Sequence, residues 1–444
     1  MDIPIAYGRM GATVRVPDEN LIAVVDPAWP AVLPNPQGAV AAALRDPIVC
    51  ASLASIVRAR IDERCSLCLD SASEINWRDF SAVVLVSDIT RPCPNRDILL
   101  PILAELRQAR IPAECVTILI GTGLHRPVVG PETRDLLGDD VVSQYRVVNH
   151  FSRRQETLKS LGTTPSGTPV ILAKLWVDAD IRIATGVIEP HMMAGFSGGR
   201  KAICPGIAAD ETVRAWHSPK FLEHPNVLPG VLEGNPEHEE AVAVAAFAPP
   251  HFTVNVTVDR TKHLTGVFAG EISAVHAAGV ASLREHVARP VAELSDILVT
   301  TNGGWPLDAT YYQCQKGLLT GVPILKRGGT FLFAAACEDG LGQQEFTDQC
   351  MKYPTLDVFM REITAAGAGV TKDQWGLECL AKAARHAEIM FWSDRLAWKL
   401  QERMFVTPVH SLEDGLERAF QKHGRQARVA VMPHGPYVLP YLKM

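Results

Sequence analysis

Short, continuous apolar runs alternate along the chain with longer stretches of helical spacing. Residues 81–86 (Ser-Ala-Val-Val-Leu-Val) and 116–120 (Val-Thr-Ile-Leu-Ile) are apolar almost throughout, the pattern of strands buried on both faces. Residues 145–148, 170–173 and 181–184 repeat it, and residues 252–258 (Phe-Thr-Val-Asn-Val-Thr-Val) alternate as a strand does. Helical patterns cover residues 97–110, 131–137, 208–216 and 272–286. Strands alternating with helices predict an α/β fold with mostly parallel sheets.

The pattern also divides the chain. Residues 12–16 and 21–25 read as strands. A connection broken by Pro27, Pro30, Pro34 and Pro36 follows, then a helix over 46–60 with Pro47 in its first turn. Asn235-Pro236 reads as a helix start, with Glu237 and Glu239 as first-turn acids. After Ala288-Arg-Pro290 a second series begins. It has strands over 296–301 and 328–335, a largely helical stretch over 355–403 interrupted near 367–369, and a last strand over 428–432. The expected organisation is an N-terminal α/β domain over residues 1–285 and a C-terminal α/β domain over 291–424. The tail, 425–444, is expected to return to the first.

In parallel sheets ligands bind outside the carboxyl ends of the strands. Three such ends here carry Asp88 and Arg91, His125, and His191. The third runs into residues 189–206, a stretch whose glycines mark it as a ligand loop rather than core. Gly195, Gly198 and Gly199 allow positive φ, and successive free N–H groups there would form an anion-binding concavity with Lys201 at its rim. The strand over 296–301 ends in a polar loop bearing Gln313 and Lys316. A cleft between the domains would gather Asp88, Arg91, His125, His191, Lys201, His217, Gln313 and Lys316. Arg91 suits a carboxylate, and two imidazoles suit proton transfer on both faces of one carbon, the need of a racemase or epimerase. Taken singly, each has an ordinary reading: a hydrogen-bonded histidine, a solvated lysine, or, for Trp305 and Trp375, aromatic packing.

Composition narrows the field. A formal charge of -6 and 7% aromatic residues give no electrostatic reason to expect nucleic acid or an anionic membrane. No apolar run approaches the roughly 20 residues of a membrane span. Ten scattered cysteines and an N-terminus without a basic-apolar leader predict free thiols in a reducing, cytoplasmic setting. Cys65-Ser-Leu-Cys68 lacks the second pair that a zinc site needs.

Several motifs together resemble the lactate racemase family, whose members use a nickel-pincer nucleotide. They are Ser-Asp-Ile-Thr-Arg-Pro (87–92), Gly-Thr-Gly-Leu-His-Arg (121–126) and Pro-His-Met-Met-Ala-Gly-Phe-Ser-Gly-Gly-Arg-Lys (190–201). His217, Asn-Gly-Gly-Trp-Pro-Leu-Asp (302–308) and Tyr-Gln-Cys-Gln-Lys (312–316) complete the set. The resemblance implies two α/β domains joined by a hinge, with the active site in the cleft between them. It implies racemisation or epimerisation of a 2-hydroxy acid by proton-coupled hydride transfer through a 2-keto acid, with His125 and His191 as the acid/base pair. The implied cofactor is Ni(II) pyridinium-3,5-bisthiocarboxylic acid mononucleotide. It would be tethered through Lys201, with His217 on the metal and Asp88, Ile89, Thr90, Arg91, Gly198 and Gly199 around it. Arg91, Tyr312, Gln313, Lys316 and Trp375 would contact the substrate, and cofactor-biosynthesis proteins would be transient partners. Two alternatives stand beside this reading. One is a nicotinamide-dependent 2-hydroxy acid dehydrogenase, against which no GxGxxG follows the first strand. The other is a non-catalytic binder of small carboxylates.

Overall fold

The computed structural model describes residues 1–66 and 77–443. Its frame is a pair of six-stranded sheets. The first runs in the order 264–270, 252–258, 181–187, 82–87, 116–121, 146–149, parallel except for the 264–270 edge. The second runs in the order 407–408, 388–392, 325–334, 295–301, 429–432, 21–24, and is parallel throughout. The near-continuous apolar runs of the sequence are these central strands, covered on both faces as parallel sheets require.

The connections decide where ligands bind. In the first sheet the chain steps outward from Ala82–Ser87 through Val116–Gly121 to Arg146–Asn149, and then returns to the other side of Ala82–Ser87 with Ile181–Val187. The order reverses between those two adjacent strands, and a crevice opens at such a point. The second sheet reverses between Ser295–Thr301 and Val429–Met432.

The division into domains departs from expectation at both ends of the chain. Residues 1–25 do not belong to the first domain. Leu21–Val24 is the edge strand of the second sheet, beside Val429–Met432, and Asp2–Ile5 pairs with Ala12–Arg15 in a hairpin packed on that sheet. The tail, expected to return to the first domain, is divided: Leu439 packs against Ile188 and Phe196 of that domain, while its earlier strand joins the second sheet. Val429–Met432 lies between Ser295–Thr301 and Leu21–Val24. Only Leu439–Leu442 leaves the second sheet, to pair with the hinge strand Ala288–Val291. The physical reason is sheet completion: Val429–Met432 is wholly buried and needs a ladder partner on each side.

Local differences have similar causes. Residues 46–60 are not one helix. Asn35 caps Pro36–Arg45 by accepting from Gly38 N, Asp46 closes it, and a second helix occupies Leu53–Ser66. Within 355–403, Glu388–Trp392 is a strand of the second sheet. The Pro169–Ala173 strand lies outside both large sheets, paired with Leu158–Thr163 and bridged at Leu172 to Ala208. The helix Pro236–Ala245 starts as expected, with Asn235 accepting from Glu237 N and His238 N. First-turn acidity explains exposed Glu239 but not Glu237, which is wholly buried with both carboxyl oxygens unpartnered. Every described cysteine is a free thiol. Cys68 lies outside the described residues, and with it the Cys65–Cys68 pair. No described helix is long and apolar enough to cross a membrane.

The N-terminal hairpin is held to the second sheet by Asp308, whose Oδ2 accepts from Gly8 N at 2.7 Å and Ala336 N at 3.1 Å. Asp308→Ala leaves two backbone donors unpaired and is expected to cost about 1–3 kcal/mol in chemical denaturation. Asp308→Asn should lose less, because its amide oxygen still accepts. Equal stability of the alanine variant and the parent would refute this role.

Candidate active site

Loops beyond the strands of the first sheet and residues 312–316 and 373–375 of the second domain line one cleft, with a cavity volume of about 140 Å³. Its lining includes Asp88, Thr90, Arg91, His125, His191, Gly198, Lys201, His217, Tyr312, Gln313, Lys316 and Trp375. All but two of the site residues expected from the sequence therefore meet here. The exceptions are Ile89, an exposed side chain, and Gly199, whose N–H donates to Asn255 Oδ1 at 2.7 Å.

The loop 189–206 differs from the open nest its glycines suggested. Residues 191–201 are buried throughout, so their N–H groups must find partners inside the protein. Met193 and Ala194 N–H donate to His191 Nδ1, Ser197 N–H to Glu189 O, and Lys201 N–H to Gly198 O. Gly195, at φ +72, is required by packing: a Cβ there would lie 2.1 Å from Val231 O. Gly195 thus seats the loop in the first domain, while Gly198 lines the cleft.

The two histidines differ in hydrogen-bond polarity. His125 Nδ1 meets Asp88 Oδ2 at 2.7 Å, so that nitrogen carries the proton and Nε2 is left as a bare acceptor. Asp88 is held in place by Thr90, whose N–H and Oγ1–H both donate to Oδ1. Burial raises the Asp88 pKa, but the bonds from His125 and Thr90 and the nearby charges outweigh it and leave the carboxyl below its usual range. His191 is the reverse case. Its Nδ1 accepts from Met193 N at 3.3 Å and Ala194 N at 3.2 Å, so Nε2 bears the proton. Burial, then the charges of Lys201, Arg91, Lys316 and Arg200, hold its pKa well below 6.5, so the ring is neutral at pH 7.

Two further buried groups, His217 and Lys201, lie against Trp216. His217 caps the helix Asp210–Trp216, and both its ring nitrogens lack a hydrogen bond. Its ring stacks on Trp375 of the second domain, with centroids 4.4 Å apart, and lies 4.2 Å from Trp216. The Lys201 amine sits 4.7 Å over the Trp216 ring. Burial, then the charges of Arg91 and Arg200, push its pKa well below the usual lysine range, so the uncharged, nucleophilic amine is accessible. On the opposite wall, burial lowers the Lys316 pKa to about 8, Arg91 adding to the effect. Arg91 Nη1 lies 3.4 Å from Glu189 Oε1. The domains are drawn together by Arg214 Nη1 donating to Val370 O at 2.7 Å and by the Arg385–Glu223 ion pair at 2.9 Å.

These features fit the implied cofactor. Among the described residues no group of three or more His, Cys, Asp or Glu could hold a metal. A metal on His217 must therefore take its other ligands from a bound group, and an imidazole with two free nitrogens is a suitable donor. Lys201 meets the needs of an amine that forms a covalent bond. Sequence reasoning missed Trp216, the link from Asp88 to His125, and Asp373, which also lines the cleft. Trp216 adjoins His217 and was open to notice; the other two depend on loops meeting in space.

The comparisons with known proteins agree with this geometry. Residues 70–228 match the lactate racemase N-terminal domain family and residues 291–439 the lactate racemase C-terminal domain family. Lactate racemase from Thermoanaerobacterium thermosaccharolyticum is 36% identical over 358 residues, 80% of this chain and 84% of that protein. Lactate racemase from Lactiplantibacillus plantarum is 33% identical over 379 residues, 82% and 86% respectively. The solved lactate racemase apoprotein of T. thermosaccharolyticum superimposes with a TM-score of 0.89 at 32% identity, covering 99% of this chain and all of that one. A Thermotoga maritima structure shares the fold, at TM-score 0.63 and 15% identity over 87% of this chain and 97% of its own.

The tautomer assignment is directly testable. In ¹⁵N spectra of the imidazoles, His191 should keep its neutral Nε2–H form from pH 8 down to pH 5, because a lowered pKa postpones protonation to lower pH. Protonation of His191 near pH 6.5 would contradict the arrangement described.

Proposed function

The chain belongs to the lactate racemase family and is a racemase, an isomerase by class; we propose that it interconverts the enantiomers or epimers of a 2-hydroxy acid with a nickel-pincer nucleotide. The observation that carries this reading is the pairing of two imidazoles of opposite polarity on one cleft, beside a buried lysine and a buried histidine without partners.

Arg91 and Lys316 offer the substrate carboxylate a planar fork and a second cation. Because the Cα–H beside a carboxylate is a very weak acid, direct proton abstraction is difficult. The cofactor, when bound through Lys201 and His217 near Asp88, Thr90 and Arg91, supplies reversible two-electron acceptance at Cα. His125 takes the hydroxyl proton on Nε2 as the alcohol becomes a 2-keto acid, and Asp88 stabilises the resulting imidazolium. On the other face His191 is the second acid/base residue, and the proton that His125 takes from the hydroxyl is the one returned to the keto oxygen, so that the two histidines carry one exchanging proton between them. The closed cleft holds the keto acid while it turns.

The test uses protein produced together with the cofactor-synthesis machinery. The parent should carry nickel and a mass adduct that Lys201→Ala lacks, and should racemise a 2-hydroxy acid in D2O with little deuterium at Cα. Extensive Cα deuteration would favour proton abstraction instead. A protein without nickel or adduct that binds NAD(H) tightly would favour the dehydrogenase.

A further inference from the structure

The His191 ring takes its polarity from two backbone N–H groups, and one of them belongs to a peptide that is itself held. The Met193–Ala194 peptide donates its N–H to His191 Nδ1 at 3.2 Å. The carbonyl of the same peptide, Met193 O, accepts from Asn235 Nδ2 at 2.8 Å. Asn235 is wholly buried and is not part of the cleft lining. Its Nδ2 also donates to Val231 O at 2.8 Å. Its Oδ1 accepts from Glu237 N at 3.0 Å and His238 N at 3.3 Å, which caps the helix Pro236–Ala245. Two partners are carbonyls and two are N–H groups, so the orientation of the amide is forced and its capacity is filled. A helix cap needs only the acceptor, and aspartate or serine supplies that as well as asparagine does. The donor half of the amide is surplus to the helix and serves the loop that carries His191.

We infer that Asn235 is a positioning residue for the reaction: through the Met193–Ala194 peptide it fixes the ring of His191 and the tautomer that the ring adopts. This rests on the function proposed above, in which His191 is an acid/base residue, and names a further residue on which that role depends. A carbonyl that accepts a hydrogen bond polarises its amide and strengthens donation by the N–H at the other side. The bonds run in one direction, from the first N–H groups of the helix through the Asn235 amide and the Met193–Ala194 peptide to the imidazole. They favour the ring with a bare Nδ1. They disfavour the other tautomer and the imidazolium, either of which would point a proton on Nδ1 at the Ala194 N–H. Without the Asn235 donor the peptide is less firmly oriented, and its bond to Nδ1 weakens.

Two substitutions separate the donor from the cap. Asn235→Ser and Asn235→Asp each keep a capping acceptor and lose the amide donor to Met193 O, and the serine does so without adding charge. Both are examined by ¹⁵N spectra of the unloaded protein. After loading, they are examined by steady-state kinetics on a 2-hydroxy acid that the parent turns over, with rates normalised to the cofactor adduct. The variants should remain folded by circular dichroism. Where the parent holds only the neutral Nε2–H form of His191, they should show a share of the Nδ1–H tautomer. They should also protonate His191 at higher pH than the parent, because a weaker bond to Nδ1 favours the neutral ring less. Their kcat should fall about tenfold while KM stays within about twofold. Should no 2-hydroxy acid be racemised, the proposed function fails, and the spectra still decide the role of Asn235. Folded variants with an unchanged His191 tautomer or an unchanged kcat overturn the inference. So does the failure of both to fold, which would assign the Asn235 donor to the fold alone.

Discussion

A lysine amine and an imidazole, both buried against Trp216 and the imidazole without a hydrogen-bond partner, set the terms for the rest of the molecule. Burying such groups unpaired costs free energy, and their surroundings keep them neutral rather than relieve them. The cost is borne by the packing around them: Trp216 and Trp375 against His217, and a glycine loop buried from residue 191 to residue 201. A site built at this expense is built for a group that replaces the missing partners.

The acid/base pair follows the same economy of position. His125 and His191 are one residue type made unlike by what touches Nδ1: a carboxylate for one, two backbone N–H groups for the other. One then accepts and the other donates at Nε2. Asp88 thus has a role beyond the cofactor contact implied by resemblance, since it decides which nitrogen of His125 carries the proton.

Much of this was legible in the residues. The buried strands at 82–87, 116–121 and 181–187 announced themselves by continuous apolar runs, and the polar groups just beyond their ends marked the cleft. Other parts were not legible. Leu21–Val24 and Val429–Met432 are neighbours separated by almost the whole chain, and no local pattern records which strand a strand will pair with. The glycines of 189–206 suggested free N–H groups, but Gly199 N–H is taken up by Asn255 of a neighbouring strand. Glu388–Trp392 was hidden inside a helical stretch because four consecutive apolar residues do not declare their period.

The sequence by itself determined the α/β class, the strand-end residues Asp88, Arg91, His125 and His191, and the Lys201–His217 spacing, since these depend on local period and residue chemistry. Tertiary structure alone decided which sheet receives the two ends of the chain, which tautomer each histidine adopts, and that Trp375 of one domain reaches His217 of the other. Those outcomes depend on long-range pairing and on the burial that follows from it. Burial is what turns an ordinary lysine or histidine into one that is neutral and ready for a ligand.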